Sequence, residues 1–199
     1  MEVINTLNEL GFPLEASWKI ACYTFNPLSA IQKGYYELFA CRFFYPLVVD
    51  DNNEVWLCAC KYGAISVLQE LKNRNISGHN YYLIYEAAGH GQLETVQWLV
   101  KHGIGKCTRE LFDYAASKGQ LCVLKWLLSI GITSSVYAMN GASEYGHLDT
   151  VIWLHENTKE GCTVDAMNWA SENGFLNVVV WLHENRNEGC TEYEFDNAA

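Results

Sequence analysis

Five glycines recur along the chain at a nearly constant spacing. They are Gly63, Gly91, Gly119, Gly146 and Gly174, which lie 28, 28, 27 and 28 residues apart. Self-similarity at a fixed period of this length is the signature of a repeat array, in which each short unit packs only against its neighbours. We therefore expect stacked repeats rather than a single central core.

Apolar residues keep a fixed phase relative to these glycines. Counting from the glycine of each repeat, position −4 is always alanine and position +8 is always leucine. Apolar residues at +2, +5 and +8 predict one buried stripe on a helix that follows the glycine. An apolar residue at −7 and the alanine at −4 predict a second stripe on a helix that precedes it. Each repeat is expected to be two amphipathic helices.

Polar residues mark the start of each predicted first helix. Position −11 is occupied by Asn52, Asn80, Thr108, Ser135 and Thr163. Their side chains can accept hydrogen bonds from the free amides of a first helical turn. The glycine then ends that helix, because the residue just past a helix end often adopts the left-handed backbone region. The pattern predicts a repeated helix–turn–helix.

The amino-acid sequence of the repeats resembles that of the ankyrin family. The segments are AAGHGQLETVQWL, AASKGQLCVLKWL, ASEYGHLDTVIWL and ASENGFLNVVVWL, and the resemblance covers residues 51–199. It implies an all-α, ankyrin-like helix–turn–helix solenoid. The family's Thr-Pro-Leu-His signature is absent and the period is about five residues short of the usual ~33, so short or absent hairpin fingers are expected. The motif WLHEN…EGCT resembles repeats that are expanded in some protists and their large DNA viruses.

Two segments are predicted. Residues 51–199 would form five full repeats and the start of a sixth, in which Thr191, Phe195 and Ala198 take the cap, apolar and alanine positions. Residues 1–50 would form either a degenerate repeat with an insertion at about 34–50 or a dedicated N-terminal cap, since terminal repeats must cover the last apolar face.

Composition favours a protein partner. Lys and Arg number 13 against 23 Asp and Glu, and the formal net charge of −10 argues against binding a nucleic-acid backbone. A neutral or basic protein partner fits better. No apolar run reaches the ~18 residues of a membrane span, and no secretion signal is apparent. A cytoplasmic location is predicted, in the host cytosol if the source is viral or parasitic.

The eight cysteines are expected to be free thiols. Cys107, Cys162 and Cys190 share one repeat position, and equivalent positions in stacked repeats should lie about 10 Å apart, beyond the ~7 Å reach of a disulfide. A reducing compartment fits such usage.

No catalytic, cofactor or metal site is predicted. The chain has no phosphate-binding loop or nucleophile elbow in a strand-to-helix context, and its cysteines lack zinc-site spacing. His155 and His183 each precede a glutamate, but no second histidine follows four residues later. A column at position +7, formed by Trp98, Trp126, Trp153 and Trp181, is predicted to be inter-repeat core rather than a ligand track.

The solvent face of the first helices varies between repeats, and in ankyrin proteins this face lines a concave groove. We therefore predict a non-catalytic, monomeric protein–protein interaction module whose strongest anchors are Tyr114, Tyr145 and Trp169. The predicted partner-binding residues are Tyr62, Glu86, His90, Asp113, Tyr114, Glu144, Tyr145, Trp169 and Glu172. Two alternatives remain: an adaptor that recruits a second component through residues 1–50, or a self-assembling array, suggested by Ile152 and Val180 at the usually polar position +6.

Overall fold

The computed structural model describes residues 31–32, 52–76 and 82–188. Ten α-helices and no strand lie within these ranges. The helices are α1 (Asn52–Lys61), α2 (Ile65–Asn73), α3 (Tyr82–Gly89), α4 (Leu93–Lys101), α5 (Arg109–Ser117), α6 (Leu121–Ser129), α7 (Val136–Glu144), α8 (Leu148–Asn157), α9 (Val164–Glu172) and α10 (Leu176–Asn185). The predicted N-terminal cap and insertion, Asn80 and the predicted start of a sixth repeat lie outside the described residues.

The chain divides into two compact units, residues 1–87 and 88–199. In the first unit, α1 packs against α2. In the second unit, α7 packs between α5 and α9, and each of these first helices packs against the second helix of its own repeat. The prediction of an all-α, ankyrin-like array of two-helix repeats is confirmed.

The first helices bury a stripe of small and large apolar residues, as predicted. On α5 this stripe consists of Leu111, Phe112, Ala115 and Ala116, all of which are inaccessible to solvent. The residues at −7 and −4 are buried in every repeat. Alanine at −4 takes up little space in this stripe, while the larger residue at −7 supplies much of its buried apolar volume.

The predicted stripe of the second helices is partly wrong. The residues at +2 are only half-buried in four repeats, and Leu176 in the last repeat is 68% exposed. Position +4 is buried in all five repeats instead, where it is occupied by Val67, Thr95, Val123, Thr150 and Val178. At about 100° of rotation per residue, +4, +5 and +8 fall together, whereas +2 lies about 110° from their centre.

The tryptophan column lies beside the core rather than within it. All four rings are half-buried, because +7 lies about 110° from the centre of the buried stripe, on the side opposite to +2. The Trp98 ring contacts that of His102 at a centroid distance of 4.1 Å with the planes tilted by 37°, and Trp181 meets His155 of the preceding repeat edge-on at 5.2 Å. The prediction of a core position is therefore corrected to a position at the border of the second-helix layer.

Three of the predicted helix caps are confirmed. Thr108, Ser135 and Thr163 directly precede α5, α7 and α9. Their hydroxyls accept from the backbone N–H of the residue two or three positions later, at 3.3, 3.1 and 3.2 Å respectively. Helix α1 begins at Asn52 itself.

In three repeats the glycine that ends the first helix also lies under a side chain of the next repeat, which the sequence pattern did not indicate; these glycines are Gly91, Gly119 and Gly146. Gly119 has φ 69°, and its N–H donates to Ala116 while the N–H of Gln120 donates to Ala115, which closes the helix as predicted. The ring of His147, which follows the glycine of the next repeat, also lies over Gly119: a Cβ there would meet it at 2.8 Å. Gly119 is thus required both for its backbone angle and for the contact between repeats.

Connections between repeats are short and contain no strand in the described ranges. Helices α4 and α6 are each followed, two residues after their last residue, by a glycine in the left-handed region: Gly103 with φ 71° and Gly131 with φ 85°. Helices α8 and α10 are followed by extended residues, Thr158 and Arg186. The prediction of blunt turns in place of hairpin fingers is confirmed.

Candidate functional site

The outward side of the first helices in the second unit is a continuous surface. Positions −9, −5 and −2 share one helix face opposite the buried stripe, and −1 follows at the helix end. We call this surface the first-helix face. It consists of Glu110, Tyr114, Ser117 and Lys118 from repeat 3, Tyr137, Gly141, Glu144 and Tyr145 from repeat 4, and Asp165, Trp169, Glu172 and Asn173 from repeat 5.

The structure brings five of the predicted partner-binding residues together on this face. They are Tyr114, Glu144, Tyr145, Trp169 and Glu172. His90 is exposed at the equivalent of position −1 in the preceding repeat of the same unit. Tyr62 and Glu86 lie in the first unit, where Tyr62 is exposed and Glu86 is half-buried.

Asp113, which was also predicted to bind the partner, is engaged inside the chain. It lies at −6, where its two carboxylate oxygens accept from the backbone N–H of Ser135 at 2.9 Å and from the Ser135 hydroxyl at 2.5 Å. Asn140 repeats the arrangement one repeat later. Its amide accepts from the N–H of Thr163 at 3.0 Å and donates to the Thr163 hydroxyl at 2.8 Å. Both side chains fix the cap of the first helix of the next repeat, so Asp113 is not among the proposed contacts.

Aromatic side chains project from the first-helix face to different extents. Tyr137 is 65% exposed and Tyr145 is 49% exposed, while Tyr114 and Trp169 are half-buried. Tyr137 was missed by the sequence reasoning, which examined positions −5, −2 and −1 but not −9. The helical period that places −9 beside −5 would have found it.

Lys118 lies between two of these aromatic rings. Its Nζ is 5.6 Å from the centroid of the Tyr114 ring and 5.0 Å from that of Tyr145. Both distances are within the range of cation–π attraction. Lys118 was not among the predicted site residues, although it lies at position −1, as the predicted Tyr62, His90 and Tyr145 do.

Glycines shape the floor of this surface. The Tyr114 ring lies over Gly89, where a Cβ would meet Tyr114 Cε1 at 2.9 Å. At the centre of α7, a Cβ on Gly141 would meet Ser117 Cβ at 3.0 Å. The missing side chain at Gly141 therefore permits the close approach of α5 and α7, and it leaves the middle of the face low between its aromatic neighbours.

The electrostatics of the face are set by carboxylates and one cation. Glu110, Glu144, Asp165 and Glu172 contribute negative charge. Backbone and Thr108 hydrogen bonds lower the pKa of Glu110, so that it is ionised at neutral pH. Next to the face, burial lowers the pKa of His147, which leaves this ring neutral at pH 7.

The described cysteines are unsuited to thiol chemistry where they are buried. Cys58, Cys60, Cys107, Cys122 and Cys162 are free thiols. Burial raises the pKa of Cys60 to about 12 and also raises the pKa of Cys58, Cys107 and Cys162, which disfavours the reactive thiolate.

In the ranges that the structure describes, no cluster of three His, Cys, Asp or Glu side chains could hold a metal ion. Nor is any helix there long and apolar enough to cross a membrane.

Comparison with known proteins agrees with the geometry. Residues 84–128 match the family model described as ankyrin repeats (many copies), and a search of curated proteins finds no match to the chain. Repeats of this family are generally protein–protein interaction modules and are typically non-enzymatic. Residues 84–128 are therefore ankyrin repeats, and the described helices on either side of them form the same two-helix unit.

Proposed function

We propose that this protein is a non-catalytic binding module that holds a protein partner on the first-helix face. The observation that carries the proposal is the exposure of Tyr137 and Tyr145 beside the half-buried rings of Tyr114 and Trp169. Tyr and Trp supply large contact areas at little entropic cost, and they dominate the binding energy of many protein interfaces.

Bonds between repeats support the proposal, because they hold this surface in one arrangement before a partner arrives. Asp113 and Asn140 connect their repeats to the caps of α7 and α9. His147 and Phe175 cover the glycines Gly119 and Gly146 of the preceding repeats. A surface that is already ordered loses little conformational entropy on binding, so more of the contact energy appears as affinity.

The acidic residues favour a neutral or basic contact segment opposite α7 and α9. Glu144, Asp165 and Glu172 lie there, and the whole chain carries a formal charge of −10. Opposite charge speeds the encounter and is screened by salt, so association should slow as ionic strength rises. A monomeric state and a cytoplasmic location belong to the same proposal.

The test joins cross-linking to a triple substitution. A photo-cross-linking amino acid in place of Glu144 is expected to capture the native partner in the source cell, whereas the same group in place of Lys125, on the exposed side of α6, is not. Tyr114→Ala, Tyr145→Ala and Trp169→Ala together should abolish capture while helicity measured by circular dichroism stays nearly unchanged. The matched control combines Gln97→Ala, Lys125→Ala and Val180→Ala, all exposed on second helices.

Normal capture by the aromatic triple variant would refute the proposal. Loss of capture on deletion of residues 34–50, with the triple variant still binding, would favour the adaptor alternative instead. In that case the functional surface would lie in the N-terminal segment.

A second candidate, self-assembly, is supported by aliphatic side chains on the second helices of the last repeats. Leu176 is 68% exposed and Val180 is 45% exposed, and Ile152 is half-buried at the position of Val180 one repeat earlier. Sedimentation velocity over a hundredfold concentration range tests this candidate. Growth of the sedimentation coefficient that Val180→Lys abolishes would support it, and a constant monomeric value would exclude it.

A further inference from the structure

We infer that Lys118 receives a carboxylate of the partner, so that the contact segment carries mixed charge and is not uniformly neutral or basic. This inference rests on the proposed function, since it concerns the same first-helix face. It assigns the chemistry of one contact, and through that contact the order of charges along the bound segment.

The first observation is the position of the ammonium group. Lys118 Nζ lies near the rings of both Tyr114 and Tyr145, which come from successive repeats. A free lysine side chain has many rotamers, and ordering it on binding is costly. Two ring contacts restrict this side chain in advance, so a partner group that meets it loses less of the interaction energy to ordering.

The second observation is the charge around it. The ion pairs found among the described residues join Arg74 to Glu70 and Arg186 to Glu188, and Lys118 takes part in neither. On the first-helix face it is the single cationic side chain, among four carboxylates. Ring faces at an exposed site compensate the charge of a cation only in part. A carboxylate from outside the chain would supply the missing opposite charge.

A carboxylate fits this surface better than a phosphate group. Phosphate recognition usually relies on arginine forks or clusters of cations, and this face holds one lysine and no arginine. Glu144, one repeat further on, would repel a phosphate dianion more strongly than a singly charged carboxylate. Lys118 is a compact point charge, which suits a single Asp or Glu side chain.

The geometry also orders the charges of the bound segment. Neighbouring packed helices lie about 8–10 Å apart, so Glu144 and Glu172 are roughly 10 and 20 Å from Lys118 along the row of repeats. An extended chain advances about 3.3 Å per residue. A basic residue is therefore expected about three residues from the acidic one, opposite Glu144, or about six residues from it, opposite Glu172.

The experiment uses a random dodecapeptide library displayed on phage and selected against the immobilised full chain. Enriched peptides are expected to carry Asp or Glu at one position and Lys or Arg about three or six residues away. Selection against Lys118→Glu should replace the acidic position by Lys or Arg. A synthetic peptide from the first selection should bind Lys118→Gln about fivefold more weakly or worse.

Double substitution isolates the contact. Changing the acid of the peptide to its amide should weaken binding as much as Lys118→Gln does, and combining both changes should cause no further loss. Lys118→Arg should retain most of the affinity. All these variants change an exposed residue, and their unfolding midpoints check that the fold is kept.

Two results would overturn the inference alone: equal affinity of the selected peptides for the wild type and Lys118→Glu, or tighter binding when phosphoserine replaces the acidic residue. Binding of the selected peptides to the Tyr114, Tyr145 and Trp169 triple alanine variant with unchanged affinity would overturn the proposed function itself. Failure of the library to yield any binder would count against both.

Discussion

Gly119 and Gly103 have nearly the same backbone conformation but differ in what lies above them. Their φ angles are 69° and 71°, and each ends a helix with the same pair of backbone hydrogen bonds. A Cβ on Gly119 would meet the His147 ring at 2.8 Å, whereas no described atom lies within 4 Å of a Cβ on Gly103. Gly103 is needed for its backbone angle alone, whereas Gly119 is also covered by the next repeat.

The sequence reflects this difference. The position of Gly119 is glycine in all five repeats, and a side chain of the next repeat covers it at Gly91, Gly119 and Gly146, whereas the position twelve residues later is not always glycine. Asn75 takes it in the first repeat with φ 55°, and the last two repeats replace the turn by extended residues after α8 and α10. Asparagine tolerates the left-handed region better than other residues that bear a side chain. The left-handed backbone angle alone therefore does not require glycine at a helix end.

The largest expected effect comes from adding one methyl group at the covered turn. Gly119→Ala should lower the free energy of unfolding by about 2–5 kcal/mol, because about 1–2 kcal/mol of left-handed strain adds to the displacement of His147. Gly103→Ala should cost only the strain, about 1–2 kcal/mol. Urea denaturation followed by circular dichroism measures both values.

Two further variants sharpen the comparison. Gly119→Ala combined with His147→Ala should destabilise less than the sum of the single changes, because the shorter side chain removes the clash. Gly103→Asn should be nearly neutral, as Asn75 is at the same position of the first repeat. Equal losses for Gly119→Ala and Gly103→Ala would show that the cover by His147 is unimportant.

The second prediction compares two neighbouring residues of α6, one in the centre of the buried face and one at its edge. Leu127 is fully buried, and Trp126 is half-buried. Leu127→Ala should cost about 2–5 kcal/mol, the usual range for a core leucine. Trp126→Ala should cost about 2 kcal/mol, below the 3–5 kcal/mol typical of a buried tryptophan. A larger loss at Trp126 than at Leu127 would restore the tryptophan column to the core.

These residues also show how far the sequence determines the structure. Caps and turn glycines such as Thr108 and Gly119 were predictable, because they act within one helix turn. His147 over Gly119 was not predictable, since that contact depends on the rotation between successive repeats. The prediction that the residue at +2 is buried was wrong for a related reason. An apolar residue type alone does not distinguish the centre of a buried helix face from its edge.

The candidate site likewise contains residues that the sequence indicated and contacts that it did not. Sequence variation and aromatic content indicated Tyr114, Tyr145 and Trp169 on one surface, and the structure brings them together there. The side chain of Asp113 binds the cap of α7 in the next repeat, and Lys118 lies between two rings. Both facts depend on side chains of adjacent repeats, whose pairing the period of 27 or 28 residues does not specify.

The third prediction concerns the side-chain hydrogen bonds that join α7 to the start of α9 in the next repeat. Asn140→Ala should cost about 1–3 kcal/mol, because the N–H of Thr163 loses its partner in a partly buried site. Asn140→Asp should cost less, since Asp113 makes the equivalent bonds to Ser135 with a carboxylate. Urea denaturation provides the measurement. A neutral Asn140→Ala would mean that the polar bonds between repeats contribute nothing to the connection.

The smallest expected effect is a dependence of stability on pH at the covered turn. Burial of His147 lowers its pKa below the ordinary value of 6.5, while its hydrogen bond to the Ser117 carbonyl opposes this and the charge of Lys118 adds to it. The folded state then binds a proton less readily than the unfolded state. Stability contributed by the neutral ring is therefore complete above about pH 6.5 and is lost as pH falls through the unfolded and then the folded pKa. Titration of the His147 ring by NMR should give a midpoint below 6.5.

Repeat 3 offers a matched control for this effect, because Gln120 covers Gly91 at the same position and does not titrate near neutral pH. In His147→Gln, the side chain can keep the contact with Gly119, as Gln120 does with Gly91, but the proton linkage disappears. The unfolding midpoint of the variant should fall less than that of the wild type between pH 7 and pH 5.5. Identical slopes in the two proteins would show that the ring is not desolvated, and would leave its contact with Gly119 as a purely steric one.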